Sequence, residues 1–247
     1  MASRNFTEKA IILKKTPYKE SSYILQVFSH SFGKISILAQ GVRKPNNKAY
    51  GLLDILNELE LVLYRKQDSD WYILKSASLI SSHLYGISYE PSKYLYAASE
   101  IILQLIFHDE DNAEIYKLIL DYITYQKNTD KNHIAIFWRF LMRLFDIMGI
   151  KLNFSRCSIC HTQTDNIAAY SPIRKGIVCE TCYRLPTFKA QSIRFSETDK
   201  RIISLFYRIG NHLDELNINN NTTITKMMLL HLQEHFEKKF TLKSLDI

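Results

Sequence analysis

The sequence predicts an α+β protein. Three observations carry this: short β-type runs parted by turn signals up to about residue 80, an apolar period near 3.6 beyond Pro91, and four cysteines in two Cys-x2-Cys pairs between helical stretches. In the first part, residues 10–14 are apolar and β-branched, and 22–28 are aromatic and β-branched. After the turn Ser31-Phe32-Gly33, residues 34–39 alternate polar and apolar, as a half-buried strand does. Residues 58–64 and 71–76 flank the polar turn Lys66-Gln67-Asp68-Ser69-Asp70. Five strands in about 70 residues suit a small closed barrel, with the oligonucleotide/oligosaccharide-binding (OB) fold the leading expectation; an SH3-like barrel gives nearly the same pattern. Residues 1–80 are therefore expected to form an OB domain.

Beyond Pro91, Ser92 reads as the cap of a helix with Tyr94, Leu95, Ala98, Ile101, Ile102 and Leu105 on one broad face. Residues 113–126 and 133–149 repeat the pattern, and Gly149 is a C-terminal stop. Ser196-Glu197-Thr198-Asp199 has the form of a capping box opening a helix to about Ile209, and residues 223–238 read as a last helix after a polar loop at 217–223. An all-α domain is expected over 81–152 and 191–247, with a zinc ribbon inserted at 153–190.

The ribbon is the most specific signal. Cys157, Cys160, Cys179 and Cys182 fall in one 26-residue stretch with an 18-residue spacer. Each Cys-x2-Cys turn brings two thiolates to one small cation, and two turns supply the four tetrahedral sulfurs of a structural zinc site. No position is left for a reactive water, so the metal is expected to hold structure. The first residues carry no apolar stretch of signal-peptide length, and the longest apolar runs fall far short of the ~20 residues a bilayer span needs. A cytoplasmic address with reduced thiols is expected, which favours metal over disulfides.

The net charge is +7, with a pI near 9.1. Residues 1–80 hold twelve Lys/Arg against seven Asp/Glu, and 151–190 hold six against two, so the positive charge belongs to the barrel and the ribbon. Lys34 begins a strand, and the loop Gln40-Gly41-Val42-Arg43-Lys44-Pro45-Asn46-Asn47-Lys48 follows it. Lys34, Arg43, Lys44 and Lys48 are candidates for tracking phosphates. Tyr18, Tyr23, Phe28, Phe32, Tyr50, Tyr64, Trp71 and Tyr72 serve either as stacking platforms or as barrel core. Around the ribbon, Arg156, Arg174, Lys175 and Arg184 form a second candidate DNA surface. Arg139 and Arg143, one turn apart beside apolar rings, suit a peptide that ends in a hydrophobic residue and a carboxylate, or are simply solvated on a core helix.

Catalytic templates fail. His108-Asp109-Glu110 resembles the His-x-Glu of zinc deaminases, but Arg156 and Val178, not proline, precede the cysteine pairs. There is no Gly-rich phosphate loop, Gly-x-Ser-x-Gly or His-Glu-x2-His. The expectation is a protein that is not an enzyme. A zinc-ribbon interaction adaptor without a specific DNA role is the alternative to a DNA-binding one.

Four features in order carry a resemblance: Ala10-Ile11-Ile12-Leu13-Lys14 followed by Tyr18-Lys19-Glu20-Ser21-Ser22, Phe32-Gly33-Lys34 leading to Ala39-Gln40-Gly41-Val42-Arg43-Lys44, Arg139-Phe140 on a helix ending at Gly149, and the cysteine ribbon. With them the chain resembles the bacterial RecO family of DNA-repair recombination mediators. The resemblance implies binding of single- and double-stranded DNA and annealing of complementary strands. It also implies contact with the acidic, Phe-ended tail of single-stranded-DNA-binding protein, and work with RecR in loading RecA in the RecF pathway, at the nucleoid. It places Lys34 and Gly41-x-Arg43-Lys44 on the DNA-binding barrel, Arg139 on the tail-binding helix, and zinc on the four cysteines. Two positions depart from the family pattern. His161 stands where Gly commonly follows the first pair, so it either takes a left-handed backbone or competes as a ligand, and Lys175-Gly176 stands where a Gly pair is usual.

Overall fold

The computed structural model describes residues 5–45, 47–65, 71–206 and 222–246. The turn at 66–70, Asn46, the expected helix end at 207–209 and most of the polar loop at 217–223 lie outside the described residues. The chain forms two compact units, Met1–Lys127 with Leu242–Ile247, and Asn128–Thr241.

In the first unit, β1 (Asn5–Tyr18), β2 (Ser22–Ser29), β3 (Gly33–Ala39), β4 (Glu58–Arg65) and β5 (Tyr72–Ser81) close a barrel in the order β1-β2-β3-β5-β4. β1 pairs with β4 to complete it, and only β3 and β5 run parallel. This is the five-stranded OB arrangement. β1 reaches well beyond the expected 10–14, because its polar ends Asn5-Phe6-Thr7 and Lys15-Thr16-Pro17 pair with β4 and β2 respectively, and a bulge between Ile12 and Lys14 bends it from one partner towards the other. Alternate residues line the interior: Ala10 and Ile12, Tyr23, Leu25 and Val27, Ile35 and Ile37, Leu59, Leu61 and Leu63. Ile11 and Phe28, between those interior positions, are fully buried too, and Phe28 meets the ring of Phe107 edge-on at 5.7 Å.

That outer apolar face is covered by α1 (Tyr89–Gln104) and α2 (Asn112–Lys127). α1 starts earlier than expected. Ser88 is its N-cap, Pro91 sits in its first turn, where an absent N–H removes no helical bond, and the Ser92 hydroxyl donates to Tyr89 O at 2.7 Å. Leu95, Ala98, Ile101 and Ile102 are buried as the periodicity predicts. The β2–β3 turn is where both helices are fixed. Lys34 Nζ donates to the carbonyls of Leu103 and Leu105 at 2.7 and 2.6 Å, satisfying acceptors that the end of α1 leaves without intrahelical partners. Gly33, at φ +60°, lies so close to the head of α2 that a Cβ there would overlap the amide oxygen of buried Asn112, whose Nδ2 donates to Ser31 O. Tyr116 of α2 donates to Glu58 Oε1 at 2.9 Å, and the Ser244 hydroxyl of the closing turn Lys243–Leu245 donates to Glu100 at 3.0 Å.

In the second unit, α3 (His133–Ile147) buries Phe137, Trp138, Leu141, Leu144 and Phe145. It ends as expected at Gly149, φ +70°, where the N–H groups of Ile150 and Gly149 return to Phe145 O and Asp146 O in a Schellman motif. β6 (Ile167–Ser171), β7 (Gly176–Cys179), the single turns α4 (Glu180–Tyr183) and α5 (Pro186–Lys189), and β8 (Ile193–Arg194) make up the ribbon, with sheet order β7-β6-β8. α6 (Glu197–Leu205) opens with the expected capping box between Ser196 and Asp199. α7 (Thr222–Phe236) supplies Thr225, which accepts from Trp138 Nε1 at 2.9 Å, and buried His231. His231 Nε2 donates to Ile150 O at 2.7 Å and its Nδ1 accepts from the Tyr170 hydroxyl at 3.0 Å, so one neutral imidazole ties α7 to β6 and to the end of α3.

Two predictions follow from these joints. Gly33→Ala should lower the unfolding free energy by about 2–3 kcal/mol, through overlap with Asn112 plus a left-handed alanine; Gly33→Ala combined with Asn112→Gly should recover part of it in urea titrations, and no recovery would show that the contact is not the cause. Burial holds His231 down at about 4, against 6.5 in the unfolded chain. The unfolded state therefore takes up the proton first, so stability is full above pH 6.5 and falls as the pH drops towards 4, by about 3 kcal/mol at pH 4. His231→Gln should flatten that part of the pH–stability curve; an unchanged slope would sink the assignment.

Candidate metal centre and nucleic-acid interface

The ribbon brings its four sulfurs together from two short turns. In the first, Cys157 N–H donates to Thr162 O and His161 N–H returns to Cys157 O, both at 3.0 Å, so the chain doubles back tightly around Cys160. In the second, Cys179 ends β7 and is the N-cap of α4, which carries Cys182. All four Sγ atoms lie within 4.8 Å of one another, and Cys160 Sγ is 3.9 Å from Cys179 Sγ. A tetrahedron with metal–sulfur bonds of about 2.3 Å has edges of about 3.8 Å, whereas a disulfide needs about 2.05 Å, so the cluster fits a four-sulfur ion site. The N–H groups of Ile159 and Cys179 point to Cys157 Sγ at 3.5 and 3.4 Å, and Thr162 Oγ1 is 2.9 Å from Cys160 Sγ. The Thr162 hydroxyl draws exposed Cys160 down to about 6, while burial pushes Cys179 and Cys182 up. The four cysteines could thus bind a metal ion, and their number leaves it no open position.

Both departures from the family pattern have a structural counterpart. His161 takes φ +58° and Lys175 φ +51°, so each occupies a left-handed position without being glycine, at a cost of about 1–2 kcal/mol. His161 is exposed and stands outside the cluster, which among the described residues comprises the four cysteines. Gly176 cannot vary in the same way: a Cβ there would lie 2.9 Å from Ser158 Cβ, between the two cysteines of the first turn.

On the barrel, the basic loop is anchored at one rim. Val42 is buried in the barrel core. Gly41 N–H donates to Ser22 Oγ at 3.2 Å, Arg43 N–H to Ser21 O at 2.9 Å, and Asn47 Nδ2 to Gly41 O at 3.2 Å. The Arg43 guanidinium lies 5.5 Å above the Tyr23 ring and donates to Lys19 O at 3.5 Å. Tyr23 in turn stacks against Tyr50, which is 53% exposed. Lys44 and Lys48 are exposed and form no ion pair among the described residues. Sequence reasoning missed Lys15 and Lys19, which the β1–β2 hairpin brings to this rim: Lys15 is 5.2 Å from the centre of the Tyr23 ring and pairs with Asp54 at 2.6 Å, and Lys19 lies over Tyr18. Their position beside the turn 19–21 was the available signal.

Other candidates lie elsewhere. Lys34 is engaged at the end of α1. Phe28 is core, Tyr72 is largely buried, and Phe32 and Trp71 are exposed. On α3, Arg139 is half-buried and Arg143 exposed, and the neighbouring Phe137, Phe140 and Leu144 are core. Arg156, Arg174, Lys175 and Arg184 are exposed around the ribbon without ion pairs among the described residues, whereas Arg194, which the sequence reading passed over, pairs with Glu180 at 2.9 and 3.1 Å and covers Tyr183. His108, Asp109 and Glu110 are exposed at a single 3-10 turn and join no metal-ligand cluster. Among the described residues no helix is long and apolar enough to cross a membrane.

Comparison with known proteins agrees with this architecture. DNA repair protein RecO of Chloroherpeton thalassium is 33% identical over 152 residues, 60% of this chain and 58% of that protein. The counterpart from Prosthecochloris aestuarii is 28% identical over 152 residues, again 58% of its length, so this chain spans less than two thirds of these relatives. That of Acetivibrio thermocellus is 25% identical over 250 residues, 96% of this chain and 95% of its own. A family model for the recombination protein O N terminal matches residues 1–83, which hold the barrel, and one for the recombination protein O C terminal matches 88–245, which hold the helices and the cysteine cluster; the chain belongs to the RecO family of DNA repair proteins.

Proposed function

We propose that this chain is a DNA-binding recombination mediator that binds single- and double-stranded DNA at the barrel rim, anneals complementary strands without catalytic turnover, and carries one structural zinc ion on Cys157, Cys160, Cys179 and Cys182. The observation that carries this reading is the anchored rim, where Arg43, Lys44 and Lys48 stand exposed beside Tyr50. Cations held there replace the counterions of a phosphate backbone, and an exposed ring accepts any base on its face, a combination tolerant of sequence. Neutralising both strands at one surface lowers their mutual repulsion, which is what annealing requires. Lys34 has a different task in this reading, as the cap of α1. The exposed cations around the ribbon, Arg156, Arg174, Lys175 and Arg184, offer a second DNA surface of their own.

The partners are those that the family resemblance implies. Arg139 and Arg143, one turn apart on α3, suit the acidic, Phe-ended tail of single-stranded-DNA-binding protein, since arginine pairs with carboxylates in a fork. RecR and RecA complete the assembly through which the annealed or coated strand is passed on, in the cytoplasm at the nucleoid. Zinc is the ion favoured by four thiolates at tetrahedral spacing.

The decisive experiment is annealing of complementary oligonucleotides coated with single-stranded-DNA-binding protein. Arg43→Ala with Lys44→Ala should slow it and reduce the salt dependence of single-strand binding by about 1.4 in log–log slope, while Arg139→Ala should weaken the acidic tail peptide and spare DNA affinity. Undiminished DNA binding in the double variant, or equal loss of both ligands in Arg139→Ala, would overturn the assignment. X-ray absorption should find one zinc per chain with four sulfurs at about 2.3 Å, and chelation should lower the melting temperature. An unchanged melting temperature after complete metal removal would contradict a structural role.

A further inference from the structure

The β6–β7 turn presents Pro172-Ile173-Arg174-Lys175 at the tip of the ribbon hairpin. The tip is held rigidly: Lys175 N–H donates to Pro172 O at 2.9 Å, Arg174 N–H to Ser171 Oγ at 3.3 Å, and Ser171 itself is buried. Its shape is a tight turn closed by a left-handed residue, a position that favours glycine, yet here it is occupied by a lysine at φ +51°. Between Pro172 and this strained cation stand Ile173, 61% exposed, and Arg174. No acid stands among the four tip residues, and neither Arg174 nor Lys175 forms an ion pair among the described residues. The result is an apolar knob on a stiff hairpin, immediately followed by two unpaired positive charges. The charges select a polyanion, and the knob has no polar partner to offer; the surface that accepts both at once is a base step flanked by its phosphates.

We infer that Ile173 is a wedge that enters between neighbouring bases of duplex DNA, loosening one step while Arg174 and Lys175 hold the adjacent phosphates. This rests on the DNA-binding reading above and deepens it: the ribbon would itself open base stacking. Insertion of a β-branched aliphatic side chain needs no sequence, only a step that unstacks at low cost, so pyrimidine–purine steps should respond most.

The test uses the full, metal-loaded chain and a duplex carrying one 2-aminopurine, whose fluorescence rises when it unstacks. Wild type should raise the emission, more at a TA step than within an A-tract. Ile173→Ala should lose the rise while duplex affinity falls by less than about tenfold, because phosphate contacts supply most of the binding; Ile173→Leu should keep the rise. Arg174→Ala with Lys175→Gly should lose affinity and fluorescence together. Melting temperature and metal content, expected to be unchanged in the Ile173 variants, exclude misfolding. A full rise in Ile173→Ala, or no rise from wild type that binds the duplex tightly, overturns the wedge and leaves DNA binding standing. Failure of wild type to bind duplex at all removes the reading beneath it. If Ile173→Ala instead loses an acidic, Phe-ended peptide with its emission response intact, the tip is a protein contact and the wedge is wrong.

Discussion

The barrel unit depends on burying both faces of its first strands. Ile12 points into the barrel while Ile11 and Phe28 point out of it, and all three are fully buried. A barrel alone can cover only the inward set, so the fold needs helices laid on its outside. The β2–β3 turn meets that need in two adjacent residues, with Gly33 letting the head of α2 come close and Lys34 closing the end of α1. With the Tyr116–Glu58 bond, that turn holds the cover of the outer apolar face in place, where burial is worth about 1.5–3 kcal/mol for each large side chain.

The second unit has a different centre of dependence. Its ribbon sheet has only short strands, the last of two residues, and Cys157, Cys179 and Cys182 are buried with Ala168, Ala169 and Val178 in one small core. The four sulfurs lie within 4.8 Å of one another there, and the backbone adopts glycine-like geometry at His161 and Lys175 although neither is glycine. Arg156 and Arg184, both exposed, stand beside the ribbon's cysteines in the chain.

Much of this could be read from the sequence, for physical reasons that also explain the rest. Period-two and period-3.6 patterns and the Cys-x2-Cys spacing are local, and the strands, α2, α3, the Ser196 box, Gly149 and the sulfur cluster all appear where they pointed. The start of α1 did not, because Pro91 reads as a break although the first helical turn has no use for its missing N–H. The ends of β1 are polar, and their pairing partners lie far along the chain. Lys34 shows the limit most clearly: its charge pointed to phosphate, while the carbonyls it caps are 69 and 71 residues away. His231 gave no signal at all, since its partners Tyr170 and Ile150 lie 61 and 81 residues distant.

The placement of Arg43 over Tyr23 has a consequence for entropy. An arginine on a free loop surrenders up to about 2 kcal/mol of rotamer freedom when it is fixed by a ligand. Here the ring beneath the guanidinium and the Lys19 carbonyl beside it have already restricted the side chain. Any anion arriving at this rim meets a donor whose freedom was already narrowed when the protein folded.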